Sequence, residues 1–178
     1  MIITISGLSG SGKTTVAKAL SENLNYKYVS AGEAFRQLAQ EHCMNLERFS
    51  ILAERNPEID RMIDKRQVEI VSRYKNVIFE GRLSGRVMNG DLKVWLKASL
   101  AVRVKRIATR EQKSCEQAFN ETRSRENSEA KRYLEIYNID IFDLDTYDLV
   151  IDTQHWNQHA VIDIILTAVK LMKLLKDK

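Results

Sequence analysis

One short segment near the N-terminus limits which folds this chain can adopt. Residues 7–14 read Gly-Leu-Ser-Gly-Ser-Gly-Lys-Thr, which satisfies the G-x-x-x-x-G-K-[ST] pattern of a phosphate-binding loop. Residues 1–6 before it are largely apolar and β-branched, and residues 14–24 after it carry apolar side chains at helical spacing. A strand, a glycine-rich turn and a helix are the context that this loop requires. The segment therefore predicts an α/β fold with a nucleotide-binding loop.

Each residue type in this loop suits the binding of phosphate groups. Glycines permit positive φ and a close approach of the backbone, so that successive N–H groups converge on phosphate oxygens at a helix N-terminus. Lys13 adds a point charge, and the hydroxyl of Thr14 is a ligand for Mg²⁺. A glycine-rich turn with a surface lysine is the competing interpretation, and the spacing and context argue against it. The predicted residues for ATP or GTP are Gly7, Leu8, Ser9, Gly10, Ser11, Gly12, Lys13, Thr14 and Thr15.

Strand and helix patterns alternate along the chain. Predicted strands lie at residues 1–6, 26–30, 76–80, 93–97 and 148–152. Predicted helices lie at residues 14–24, 32–42, 45–54, 57–73, 99–111, 114–137 (one long or broken helix) and 159–176. This alternation predicts a five-stranded parallel sheet with helices on both faces. No repeat or flexible linker interrupts residues 1–178, so we expect a single domain.

The overall charge leaves several classes of partner open. The 28 basic and 24 acidic residues give a net charge of +4, which fits nucleic acid, an anionic membrane or small phosphorylated ligands. Arginines concentrate in residues 103–132 rather than in a basic tail, which argues against nucleic acid. Two cysteines, no secretory leader and no apolar run of about 18 residues predict a reduced, cytoplasmic protein without a membrane anchor. We expect a monomer with a small-molecule substrate.

Three further segments resemble the archaeal-type cytidylate kinases, a family of P-loop nucleoside monophosphate kinases. They are residues 30–36 (SAGEAFR), 80–85 (EGRLSG) and 125–132. The resemblance covers nearly the whole chain and implies a P-loop kinase core with strand order 2-3-1-4-5. It also implies a monophosphate-binding insertion at about residues 31–75 and a mobile lid at about residues 112–132. The implied activity is ATP-dependent phosphorylation of CMP and dCMP to CDP and dCDP.

Two alternatives to this activity stay open. The chain lacks the N-K-x-D signature of a GTPase and the length of a large ATPase, but other small-molecule kinases share the phosphate-binding loop. A related kinase would act on UMP or AMP. A non-kinase ATP-binding switch protein would use the loop without an acceptor.

The resemblance assigns acceptor binding to residues that follow two predicted strands. Arg36 matches the family arginine that binds the acceptor phosphate, and Arg82 matches a second one. A solvated helix arginine is the competing interpretation of Arg36. The implied acceptor residues here are Ser30, Gly32, Arg36, Gly81 and Arg82.

Further charged residues complete the implied donor site. Glu80 occupies the place where related kinases put an acidic residue near Mg²⁺, so Glu80 and Thr14 form the predicted metal site. A plain strand-end carboxylate is the alternative for Glu80. Arg106 and Arg110 lie one turn apart where related kinases place arginines against ATP, and their neighbour Arg103 could equally be solvated.

The implied lid carries three charged residues at helical spacing. Arg125, Glu129 and Arg132 stand at i, i+4 and i+7, so they project from one face of a helix. In cytidylate kinases, lid arginines close over both phosphate chains, and a carboxylate orients one of them. All three therefore join the implied substrate site, and an intrahelical salt-bridge network is the alternative. The implied catalytic residues are Lys13, Arg110, Arg125 and Arg132.

Recognition of the base departs from the bacterial pattern. Bacterial cytidylate kinases carry Asp directly after the Gly-Arg pair, where this chain has Leu83. Cytosine presents an N4 amino donor that uracil lacks. Asp60, Asp64 and Gln67 again stand at i, i+4 and i+7 and offer one polar helix face, from which we take Asp64 as the candidate. The ordinary polarity of an exposed helix explains this pattern equally well.

Overall fold

The computed structural model describes residues 1–176, without the side chain of Lys176. In that part of the chain, five parallel strands form one sheet in the order β2-β3-β1-β4-β5. The strands are β1 (Ile2–Ser6), β2 (Lys27–Ser30), β3 (Val77–Glu80), β4 (Leu92–Lys97) and β5 (Leu149–Asp152). The predicted fold class and strand order are thus confirmed.

Helices connect these strands and cover the sheet. They are α1 (Lys13–Leu24), α2 (Ala31–Glu41), α3 (Leu46–Arg55), α4 (Glu58–Ser72), α5 (Ser84–Val87), α6 (Leu100–Glu111), α7 (Cys115–Tyr137) and α8 (Gln158–Lys176). The sequence did not predict α5, whose four residues are too few to show a periodic pattern. The segment predicted as one long or broken helix is the single helix α7, of 23 residues.

Side-chain caps fix several helix starts. The Ser30 hydroxyl accepts a hydrogen bond from the Glu33 backbone N–H, and the Asn45 amide oxygen accepts one from the Arg48 backbone N–H. Pro57, just before α4, already has helical angles, and the Asn56 amide oxygen accepts a hydrogen bond from the Glu58 backbone N–H at 3.3 Å, which caps the start of this helix. The strands and the longer helices begin and end within two residues of the predictions.

Separate apolar clusters lie against the sheet and among helices α2, α3 and α4. On one face of the sheet, β1 and its neighbours pack against α1 and α8 through residues that include Ile5, Leu20 and Ile165. Helices α2, α3 and α4 enclose a cluster of their own around Phe49 and Ile63. None of the described helices is long and apolar enough to cross a membrane.

The strand register determines where the functional side chains meet. Ile5 pairs with Glu80 across β1 and β3, and Ser30 pairs with Glu80 across β2 and β3. The carboxyl ends of these strands therefore lie at one edge of the sheet, where open α/β sheets bind ligands. The phosphate-binding loop leaves β1 at the same edge.

Candidate active site

The loop after β1 has a backbone that requires glycine. Gly7, Gly10 and Gly12 have φ values of 143°, 78° and 95°, in the region that L side chains rarely adopt. A Cβ atom on Gly7 would lie 2.3 Å from the Leu96 carbonyl oxygen, and one on Gly10 would lie 2.7 Å from that of Arg103. The loop therefore packs tightly against its neighbours and leads directly into the N-terminus of α1.

Two arginines of α6 hold the outer side of this loop. Arg103 donates to the carbonyl oxygens of Ala98 at 3.0 Å and Ser9 at 3.1 Å, and its guanidinium forms an ion pair with Glu126 of α7. Arg103 is thus buried rather than solvated. Arg106 donates to the Gly10 carbonyl oxygen at 3.3 Å, so it contacts the loop backbone from outside.

A cleft of about 470 Å³ opens between the loop and helices α2, α4 and α7, a volume in the ordinary range of ligand sites. The predicted site residues that line it are Ser9, Gly10, Gly12, Lys13, Thr14, Thr15, Gly32, Arg36, Asp64, Glu80, Gly81, Arg82, Arg110, Arg125, Glu129 and Arg132. The predicted residues that do not line it are Gly7, Leu8, Ser11, Ser30 and Arg106. The structure thus brings most of the predicted residues to one cleft.

Lys13 lies at the centre of this cleft. Its ammonium group donates to the Leu8 carbonyl oxygen at 3.0 Å. Burial, together with the positive charge of Arg82, lowers the pKa of Lys13 to about 7, although the negative charges of Glu80 and Glu129 oppose the change. The ammonium charge is therefore costly without a bound anion, and a phosphate group at this position would favour it.

Glu80 ends β3 as a buried carboxylate held by hydroxyl groups. The Tyr28 hydroxyl donates to Glu80 Oε2 at 2.8 Å, and Ser30 donates to the same oxygen at 2.9 Å. Thr14 donates to the other oxygen, Oε1, at 3.2 Å. Sequence reasoning missed Tyr28, although its position two residues before Ser30 places both side chains on one face of β2.

Glu129 joins two arginines of the cleft. It forms an ion pair with the Nε atom of Arg82, and its other carboxylate oxygen lies 4.0 Å from the guanidinium of Arg125. Burial alone would raise the pKa of Glu129, but these two guanidinium groups hold it below its usual value. The buried Nε atom of Arg125 has no hydrogen-bond partner among the described residues, so this arginine retains donor capacity.

Arg132 is the most enclosed arginine of the group. Its Nε atom lies 2.9 Å from the Asp60 carboxylate, and its Nη1 atom donates to the Ser50 carbonyl oxygen at 3.0 Å. Phe35 and Tyr133 flank the guanidinium, with ring centroids 5.6 and 5.9 Å away. Arg132 therefore joins α7 to α3 and α4, an interhelical pairing that the sequence spacing did not reveal.

The remaining cations of the cleft are more exposed. Arg36 forms no ion pair or hydrogen bond within the described part of the chain, which leaves its guanidinium available to a ligand. Arg110 pairs with Glu111 at 2.6 Å near the mouth of the cleft. Burial lowers the pKa of Arg125, and the nearby positive charges of Arg82 and Arg36 add to this effect. Such a concentration of cations favours a ligand with several negative charges.

The polar face of α4 divides between different partners. Asp60 forms an ion pair with Arg132. Burial raises the pKa of the Asp60 carboxyl to about 6, although the positive charge of Arg132 opposes this rise. Asp64 accepts a hydrogen bond from the Tyr137 hydroxyl at 2.7 Å. Gln67 lies one turn further on and lines a second cavity of about 210 Å³ between α2 and α4. Leu83, in the position of the bacterial Asp, is buried.

Solved structures with the same fold include kinases of several kinds. Shikimate kinase from Bacteroides thetaiotaomicron superposes with a TM-score of 0.60 at 15% identity, covering 96% of this chain and 98% of its own. Deoxyadenosine kinase from M. mycoides with bound dATP gives a TM-score of 0.58 at 16% identity, covering 96% of this chain and 100% of its own. These similarities show the P-loop kinase fold.

Sequence relatives are much closer. The cytidylate kinase of Methanocella arvoryzae is 49% identical over 173 residues, 97% of this chain and 99% of the relative. That of Archaeoglobus fulgidus is 50% identical over 179 residues, 100% of this chain and 99% of the relative. The sequence model of the cytidylate kinase-like family matches residues 2–155. This chain, in which a phosphate-binding loop faces an arginine-lined cleft, therefore belongs to the cytidylate kinase-like family.

Proposed function

We propose that this kinase transfers the γ-phosphoryl group of ATP to CMP and dCMP, forming CDP and dCDP. The observation that supports this most directly is the arrangement of cations in one cleft. Lys13 follows the loop, Arg36 lies on α2 and Arg82 follows β3, and all three line the cleft. We assign Lys13 to the donor phosphates and the two arginines to the acceptor phosphate. Two phosphate groups bound to these residues would meet between them, and catalysis by positioning and charge stabilisation then suffices.

The donor side fits ATP with Mg²⁺. Magnesium prefers oxygen ligands and usually takes one or two protein groups together with substrate phosphates. Thr14 Oγ1 and Glu80 Oε1 lie 3.2 Å apart at the loop, and we assign them to the ion. When bound, the ion would neutralise phosphate charge.

The acceptor side needs no strong general base, because a phosphate oxygen of CMP is already anionic. Arg36, Arg82 and the Gly81 backbone are assigned to that phosphate, with Gly32 in the wall of the cleft. Ser30 does not line the cleft, and its hydroxyl instead donates to Glu80. Lys13 and Arg125 are assigned to the charge that develops during transfer. Contacts of Arg106, Arg110 and Arg132 with the nucleotides remain predictions. The mobile lid and the monomeric state are predictions as well.

A panel of monophosphates tests this function. With ATP and Mg²⁺, we expect ADP formation with CMP and dCMP at rates well above those with UMP or AMP. A preference for UMP or AMP would assign the chain to another acceptor. Slow ATP hydrolysis that no monophosphate stimulates would favour a nucleotide-binding switch.

Replacing Arg36 by alanine is expected to raise the KM for CMP about 10- to 100-fold, because a charge-assisted hydrogen bond to phosphate is lost. The KM for ATP should stay close to the wild-type value. Initial rates over a matrix of both nucleotides give the two constants. Arg48→Ala, an exposed arginine outside the cleft, is the matched control. An effect confined to ATP would reverse the assignment.

Replacing Tyr28 by phenylalanine is expected to raise the Mg²⁺ concentration for half-maximal activity about tenfold, since residues that orient a metal ligand typically have effects of this size. The hydroxyl that holds Glu80 Oε2 is lost, while the ring remains. Binding of Mn²⁺ in the presence of a non-hydrolysable ATP analogue gives a second readout. Tyr74→Phe, on an exposed tyrosine, should change neither quantity.

A further inference from the structure

The residue that recognises cytosine in this chain must differ from the one in bacterial cytidylate kinases. Cytosine carries an N4 amino donor where uracil carries the O4 acceptor. A site that prefers cytosine therefore needs a hydrogen-bond acceptor that cannot also donate, and an ionised carboxylate meets this requirement. Leu83 offers no such group.

Most carboxylates of the cleft already have partners. Asp60 pairs with Arg132, Glu33 with Lys18, Glu111 with Arg110 and Lys113, and Glu129 with Arg82, while Glu80 accepts three hydroxyl groups. Asp64 differs from them all. Within the described residues it has no cationic partner within 4.0 Å, and it accepts one hydrogen bond, from the Tyr137 hydroxyl to Oδ2.

The surroundings of Asp64 suit a pyrimidine ring. Ile63 precedes it on α4, Leu46 begins α3, and Tyr133 lies on α7, and all three line the same cleft. The cleft also holds Arg36, which has no hydrogen-bond or ion-pair partner among the described residues and is assigned to the acceptor phosphate. Apolar walls with a few placed polar groups are typical of sites that bind a base.

Tyr137 gives the Asp64 carboxylate a fixed orientation. Its hydroxyl donates to Oδ2 at 2.7 Å and leaves Oδ1 as an acceptor. Burial raises the pKa of Asp64, and the hydrogen bond from Tyr137 opposes that rise. The tyrosine thus favours the ionised form that can only accept.

We propose that Asp64 selects cytosine over uracil by accepting a hydrogen from the N4 amino group, and that Tyr137 is the residue that positions its carboxylate. The proposal rests on the proposed CMP kinase activity. The O4 atom of uracil would face a carboxylate oxygen at the same place, and two acceptors repel each other. The specificity of the site then comes from α4 and α7 rather than from the residue after the Gly81-Arg82 pair.

The test is the ratio of kcat/KM for CMP to kcat/KM for UMP. In Asp64→Asn, the amide can donate to O4 of uracil as well as accept from cytosine, so we expect this ratio to fall about tenfold. Tyr137→Phe should lower it by a smaller factor, and the KM for ATP should stay unchanged in both. Asp163→Asn, on an exposed residue of α8, is the matched control.

The outcomes separate the specificity claim from the activity claim. A ratio that stays at the wild-type value while both kcat/KM values fall together would overturn the role of Asp64. If Asp64→Asn does not fold, the ratio in Tyr137→Phe decides by the same criterion. If the wild-type protein phosphorylates neither pyrimidine, the proposed activity fails. The dissociation constants of CMP and UMP for wild type and variants then decide the specificity claim, and equal losses overturn it.

Discussion

Replacing Lys13 by alanine is expected to lower kcat about 10²- to 10³-fold, the effect of removing one preorganised charge from a phosphoryl-transfer site. The ammonium group donates to the Leu8 carbonyl oxygen of the loop, and it lies close enough to Glu80 and Arg82 for their charges to shift its pKa. Steady-state rates with saturating ATP and CMP measure the loss. Near-normal turnover in a folded variant would refute the assignment of the loop.

The same substitution should leave the fold stable. Burial lowers the pKa of Lys13 from 10.5 to about 7, so between these values the unfolded chain binds more protons at this side chain than the native protein does. The contribution of Lys13 to stability therefore increases as the pH rises through this window. Urea unfolding of wild type and Lys13→Ala at pH 7.5 and pH 9 should show that part of the pH dependence only in wild type.

Replacing Arg132 by alanine is expected to destabilise the protein by about 3–5 kcal/mol at pH 8, because it leaves the Asp60 carboxylate buried without its cation. The pKa of Asp60 is already raised to about 6, and removing the guanidinium raises it further. The native variant then binds a proton that the unfolded chain binds only at lower pH, so the loss of stability should shrink as the pH falls to 5. Arg123→Ala, on the exposed face of α7, is the control.

A double variant separates the two roles open to Arg132. Replacing a buried ion pair by apolar residues of similar size is often neutral for stability, so Asp60→Leu with Arg132→Met should recover much of the lost stability. If activity recovers with stability, Arg132 acts by joining α7 to α4. If stability recovers while kcat stays low, Arg132 also acts on the nucleotides.

Local patterns were enough to predict the framework of this protein. Periods of two and of 3.6 residues gave the strands and the longer helices, and the loop motif gave the position of Lys13. The neighbouring positions of Thr14 and Glu80 were implied by the resemblance to related kinases, and they agree with the rule that parallel strands end at one edge of the sheet. Such features depend on residues close in sequence or on a general rule of topology.

Long-range pairings could not be predicted in the same way. Asp60 and Arg132 are 72 positions apart, and Arg103 meets Glu126 only because α6 and α7 pack together. The spacing of Asp60 and Asp64 correctly placed both on one helix face. It could not show that Arg132 of α7 forms an ion pair with Asp60, or that Tyr137 of α7 donates a hydrogen bond to Asp64. A helical pattern identifies the face, and only the packing of another helix identifies the partner.

The composition of the buried face of α7 has a thermodynamic consequence for any movement of this helix. After Ala118, the buried residues of α7 are all polar or charged: Thr122, Glu126, Ser128, Glu129 and Arg132. Lifting the helix would hydrate ions rather than expose apolar surface, so the heat-capacity change of opening should be small. Dissolved salt would screen the separated charges and favour the lifted state. Ionic strength would then set how readily the cleft admits its nucleotides.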